Sequence, residues 1–237
     1  MTWLAMGHRF ENGISQLLLN LRPSIYFGDI HISWNDSLFI VDAGKGDFPC
    51  VGVTWYGAAA YCNFLTEAQG NSLTTCYSFS IWGYNLSATG YRLLTEAEWE
   101  YAARGGKRGN ETTYSGANDP SPGWRTVAWC SDNSGGASHA VGTKNANELG
   151  LHDMSGNVFE WCNDKYDANY YITLPENNPS GPYSGTQRVR RGRHQTIHLQ
   201  SCGAGLPSTR TMLIVSQASV VYVEFLLATE PLPFEES

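Results

Sequence analysis

Charge is the first thing this chain has little of. Only 16% of its 237 residues are Asp, Glu, Lys or Arg, and the formal balance is −7. No basic stripe answers the charge of phosphate, which argues against nucleic acid as a general partner. Long apolar runs are missing too. Nothing approaches the roughly 18 residues that a membrane-spanning helix needs, and Leu17-Leu18-Leu19 is too short and too polar on its flanks for the core of an export signal. The six cysteines (Cys50, Cys62, Cys76, Cys130, Cys162, Cys202) form no CxxC pair and no zinc-ligand spacing. Their even number permits disulfides, and their dispersion suits buried free thiols at least as well. No internal repeat is present, so a solenoid or a propeller is not expected.

What the chain does have is aromatic bulk and turn formers. Eight tryptophans and 42% hydrophobic residues supply a substantial core, while 25 glycines and 10 prolines put many residues into turns and irregular loops. The length fits one large α+β unit, and residues 1–237 are read as a single domain.

Residues 1–49 carry the fewest signals. Ile25-Tyr26-Phe27 and Ile30-His31-Ile32 around Gly28-Asp29 suggest a hairpin, and Leu38-Phe39-Ile40-Val41 a further strand. His8 and His31 are read as surface or satisfied side chains rather than metal ligands. Thr54 then caps a helix in which Trp55, Ala58, Ala59, Cys62 and Leu65 recur at helical spacing, with Gly70 as the stop. A second helix opens at Thr95, where Thr95 and Glu98 form a capping box, and closes at Gly105-Gly106. Its Glu96/Glu100 pair is read as structural, because capping and the i,i+4 placement already account for it. Residues 107–149 are loop-rich, held by Trp124 and Trp129, and only Val127-Ala128-Trp129-Cys130 looks like a strand. Arg188–Gly192 is a strand entering the last segment, and Val220–Ala228 is the final one.

Between them lies Gly150–Cys162. Two glycines bracket a turn, after which Val158, Glu160 and Cys162 alternate with Phe159 and Trp161, the mark of a half-buried strand. Glu160 stands out, because a carboxylate between two large aromatics is expensive to bury unless it is paired or binds a metal.

Several of these stretches resemble one family. Tyr91-Arg92-Leu93-x-Thr95-Glu96-Ala97-Glu98-Trp99-Glu100-Tyr101-Ala102-Ala103-Arg104-Gly105-Gly106 is similar to the leading motif of formylglycine-generating enzymes and sulfatase-modifying factors. Asn147–Trp161 resembles their second motif and Arg188-Val189-x-Arg191-Gly192 the lead-in to their third, with Val53–Tyr56 and Tyr61–Asn63 agreeing as well. The resemblance covers about residues 50–195 and implies a C-type-lectin-like fold of α+β class, with two main helices, short antiparallel strands and long ordered loops. In those enzymes the Asn-Val-x-Glu element contributes to a structural calcium site. Asn157 and Glu160 match it, and hard oxygen ligands suit that ion. A hydrogen-bond partner would serve Glu160 equally well.

The enzymes' copper chemistry does not carry over. Their two copper-binding cysteines follow the lead-in, and counting from Arg188 those positions fall on Ile197 and Cys202. Soft thiolates hold Cu(I); Ile197 cannot. The sulfoxide synthases of the same fold need a histidine cluster, and the tract around His194 and His198 does not otherwise match theirs. The step from family-like to idiosyncratic sequence is confined to about residues 190–225, which is similar to the variable proteins of diversity-generating retroelements. That resemblance implies a non-enzymatic binding protein, displayed on the cell surface, whose variable tract meets a macromolecule, a protein on another cell or host. The implied contact residues are Arg193, His194, Gln195, Thr196, Ile197, His198, Gln200, Ser201, Leu206, Ser208, Thr209, Thr211 and Met212. No cofactor is required beyond a candidate structural calcium. The alternatives are a formylglycine-generating copper oxidase and a calcium-dependent sugar binder. Against the latter, the chain has no Glu-Pro-Asn or Gln-Pro-Asp triplet.

Overall fold

The structure, a computed structural model, describes residues 31–34, 39–51, 53–69, 72–80, 83–109, 112–117, 123–172 and 177–192. Strand β1 (Ile32–Trp34) pairs antiparallel with β2 (Phe39–Val41), Ile32 facing Val41. Residues 25–30 of the expected hairpin lie outside the described residues. His31 packs edge-on against Phe48 and stands 3.6 Å from Asp42, a satisfied histidine as expected.

Helix α1 (Trp55–Gln69) begins where Thr54 takes the Gly57 amide on its hydroxyl, at 3.1 Å. Its inner face (Trp55, Ala58, Ala59, Cys62) packs on Cys76, Tyr77, Tyr91 and Leu93 to form the first core. The short hairpin β3 (Tyr77–Ser78) and β4 (Gly83–Tyr84) follows. Helix α2 (Glu96–Ala103) starts at a complete capping box. The Thr95 hydroxyl accepts the Glu98 amide, and the Glu98 carboxylate accepts the Thr95 amide. Arg92 grips the same carboxylate with both terminal nitrogens, at 2.7 and 2.8 Å. Burial by itself would raise Glu98, but the hydrogen-bonded Arg92 charge outweighs it and holds the carboxyl below its usual range.

The expected strand at 127–130 is instead the end of a short helix, α3 (Gly123–Val127), followed by irregular chain. Trp124 and Val127 are three apart, so one helical face buries both together with Ala128 and Cys130. Strand β5 (Phe159–Lys165) pairs antiparallel with β6 (Arg188–Gly192). Two tryptophans tie β5 to the start of α1 in both directions: Trp55 Nε1 donates to Cys162 O and Trp161 Nε1 to Val53 O, each at 3.0 Å. The other face of β5 meets α2 in a second core of Trp99, Ala102, Leu151, Met154, Cys162 and Val189. All five described cysteines are free thiols, and Cys202 lies outside the described residues. Among the described residues no helix is long and apolar enough to cross a membrane.

Candidate functional site

The chain enters its idiosyncratic tract through β6, and β6 is held by its arginines. The Arg188 guanidinium lies 3.6 Å from the Trp55 ring centre and donates to Asn163 O at 2.6 Å. Arg190 stands 4.9 Å from the Phe159 ring, and Arg191 5.1 Å from that of Trp99. Each arginine is thus laid on an aromatic of a different element (α1, β5 and α2), and such stacking suits a planar, weakly hydrated cation. Arg191 also reaches α2, bonding Glu96 at 3.2 Å and pairing with Glu100, whose other oxygen takes Arg104 at 2.6 Å. The Glu96/Glu100 pair is therefore a structural brace, as its spacing suggested. These side chains floor an open groove of about 610 Å³ along α2, with Tyr101 and Tyr171 on its walls. Gly192 ends the strand at φ +74°, where a Cβ would fall 2.9 Å from Val158 O. Only glycine fits both demands.

The thirteen contact residues from Arg193 to Met212 lie outside the described residues. What the structure locates is the strand that leads to them in the chain, β6.

The second predicted group, Asn157 and Glu160, is resolved in detail. Asn157 is wholly buried at φ +64° and uses both ends of its amide on one peptide neighbour. Its Oδ1 accepts from His139 N and its Nδ2 donates to His139 O, each at 3.0 Å. Glu160 is half-buried as a residue. Its Oε2 accepts from Trp99 Nε1 at 2.7 Å, while its Oε1 is sealed from water with no hydrogen-bond partner. Burial pushes its pKa up to about 8, with the Asp153 charge adding to the rise. Asp153 shows the same pattern. Its Oδ2 accepts from Gly142 N at 2.8 Å, its Oδ1 is buried and unpartnered, and burial raises its pKa.

Two buried carboxylates within electrostatic reach of each other, each with one satisfied and one orphaned oxygen, fit a hard divalent cation. The residues that would hold it are Asp153 and Glu160. Asn157 shapes the turn between them. Sequence reasoning missed Asp153, although its position at the head of the turn closed by Gly156 was a usable signal. Gly156 is forced there, since a Cβ would lie 2.4 Å from Trp129 O. Among the described residues no group of three or more His, Cys, Asp or Glu side chains is placed to hold a metal, so backbone carbonyls or water would complete the shell.

A model of the sulfatase-modifying factor enzyme 1-like domain matches residues 30–214. The chain is 31% identical to the formylglycine-generating enzyme of Streptomyces coelicolor over 167 residues, 67% of this chain and 46% of that protein. It is 35% identical to the inactive Cα-formylglycine-generating enzyme 2 of Bos taurus over 133 residues, 52% of this chain and 35% of that one. The chain thus spans about half the length, or less, of these curated relatives. Among solved structures it is similar to Treponema denticola variable protein 1, with 29% identity and a TM-score of 0.57, covering 79% of this chain and 71% of that one. The fold is accordingly the C-type-lectin-like α+β arrangement expected of this family.

Proposed function

We propose, from the premise that the chain belongs to the sulfatase-modifying factor enzyme 1-like domain family, that it is a non-enzymatic binding protein whose variable tract meets a macromolecular partner. The observation that carries this reading is the divide at Gly192. Up to that residue the chain keeps the family's motifs and is braced by three arginine–aromatic stacks. Beyond it the position of the first copper thiolate is held by Ile197. A lone Cys202 leaves half a copper site, whereas the run from Arg193 to Ser201 offers varied donors and acceptors on a segment presented by a rigid scaffold. The likeness to a Treponema variable protein supports the reading, and the relatives include both named enzymes and a named inactive one.

A divalent cation, calcium by its preference for oxygen donors, belongs to the same proposal. Asp153 and Glu160 would hold it, and it would supply no chemistry beyond fixing the turn that carries Asn157 and Gly156. Display at a cell surface, with a protein on another cell or host as partner, completes the proposal.

The deciding experiment is to sequence the surrounding locus. A near-copy of the segment encoding about Arg190–Phe225, differing mainly at adenines and lying beside a reverse transcriptase, is the expected finding. Its absence would sink the reading. A Cys-x-Pro-x-Arg peptide incubated with the copper-loaded protein is expected to remain unoxidised, and turnover would restore the oxidase alternative. A glycan array read with and without chelator tests the sugar-binding alternative, for which no calcium-dependent signal is expected.

A further inference from the structure

Asp164 is the buried acid that the binding reading does not use. It lies on β5 four residues beyond Glu160, within the irregularity between Trp161 and Lys165, and is 1% exposed. Its Oδ2 accepts the first backbone amide of α2, Glu96 N, at 2.8 Å. Its Oδ1 has no hydrogen-bond partner. That oxygen is covered by Gly181, where a Cβ would fall 2.6 Å from Oδ1 and which sits at φ +82°. Gly181 belongs to the strap 177–187 that runs back into β6. Among the contacts holding this strap are Gly181 N to Tyr170 Oη at 3.1 Å, Lys165 Nζ to Tyr183 O at 2.9 Å and Tyr166 N to Gln187 O at 2.9 Å. The strap carries the almost fully exposed Tyr183.

The surroundings of Asp164 are mostly acidic or neutral. Glu96 and Glu98 face it from α2, Cys162 from β5, Tyr84 from β4 and Tyr171 from the turn at 170–172, and the charge of Arg188 on β6 reaches it. Arg188 is committed to Asn163 O and the Trp55 ring. Glu96 is committed to Arg191. Among the described residues no donor bonds Oδ1, and Gly181 packs directly against it.

We propose that Asp164 is a proton-dependent latch: protonated, it lets the strap 177–187 close over Oδ1, and ionised, it releases the strap so that water can reach the carboxylate. The latch is independent of the variable tract, so its failure leaves the binding reading standing. Burial first, and then the nearby Glu96 charge, push the carboxyl up to about 7, which places the transition near neutrality.

The test is amide hydrogen exchange of the full chain from pH 5 to pH 9, with rates divided by those of an unstructured peptide at each pH. Strap protection is expected to fall about tenfold per pH unit up to neutrality and then level off, because only the open state ionises freely below that point. Peptides from α1, which open only with global unfolding, should keep higher protection than the strap at every pH. In Asp164→Asn the strap should lose its pH dependence. Constant wild-type protection, a slope that persists in the variant, or strap protection no lower than that of α1 would each overturn the latch. If the variant does not fold, the wild-type contrast between strap and α1 decides the matter alone.

Discussion

Glu160 has two unlike neighbours and one empty place. Across the ladder it faces Arg191, yet that guanidinium turns to α2 and lies over the Trp99 ring, whose Nε1 is the group that bonds Glu160. Trp99 therefore contacts both an arginine and a carboxylate that do not pair with each other. The orphaned Oε1 and Asp153 Oδ1 are the two oxygens on which the proposed cation would rest. Calcium is expected to raise the melting temperature, by an amount equivalent to about 2.7 kcal/mol at a hundredfold excess over its dissociation constant. Glu160→Ala should lower stability in calcium by roughly 1–3 kcal/mol, through the lost indole bond and cation site, without changing ligand choice. Asp153→Asn should remove the calcium response, whereas Asn157→Ala should destabilise while leaving that response intact. Calorimetry with and without chelator separates the three. If Glu160→Ala left melting unchanged but abolished ligand binding, scaffold and site would be reversed.

The same residues set a pH dependence of definite sign. Glu160 and Asp164 are pushed up to about 8 and about 7, chiefly by burial, so the folded state holds their protons more tightly than the unfolded chain does. Stability from these two groups is fully present below their unfolded values, near about 4. It is lost as pH rises through the folded values. Denaturant titrations in chelator between pH 5 and pH 8.5 should show stability falling. Calcium should flatten the Glu160 share by favouring its ionised form. Glu98 has the opposite sign, since Arg92 depresses it, and its contribution is lost only in acid.

At the scale of elements, α2 is the organising piece. Its start is fixed by the capping box and by Asp164, its middle by Trp99, and its outer face by the brace through Arg191. Thr95→Ala should cost about 1 kcal/mol, the usual worth of an N-cap. Glu98→Ala should cost more, about 3 kcal/mol, because it also strands the buried Arg92 guanidinium. Urea midpoints compare the two directly. The capping box, both long helices and β6 were legible in the sequence, since each rests on side chains within a few residues of one another. The helix at 123–127 was not: Val127-Ala128-Trp129-Cys130 has strand composition, and only packing of Trp124 with Val127 selects the helical turn.

At the scale of the whole molecule, the braced frame is described up to Gly192, and the family match continues to residue 214. Natural variants of the gene are expected to differ within about Arg190–Phe225 while keeping Trp99, Asp153, Glu160 and Gly192. Resequencing of isolates checks this, and changes scattered evenly along the chain would speak for ordinary drift. The family, the two principal helices and the strand entering the last segment were all determined by sequence, because they depend on residue identity and short spacing. The unpartnered Oδ1 of Asp153, the Trp99 contact between Glu160 and Arg191, and the sealed carboxylate of Asp164 were decided only by tertiary structure. A carboxylate's chemistry is set by which of its two oxygens finds a donor and which is shut away from water. Those partners come from elements as far apart in the chain as Trp99 is from Glu160.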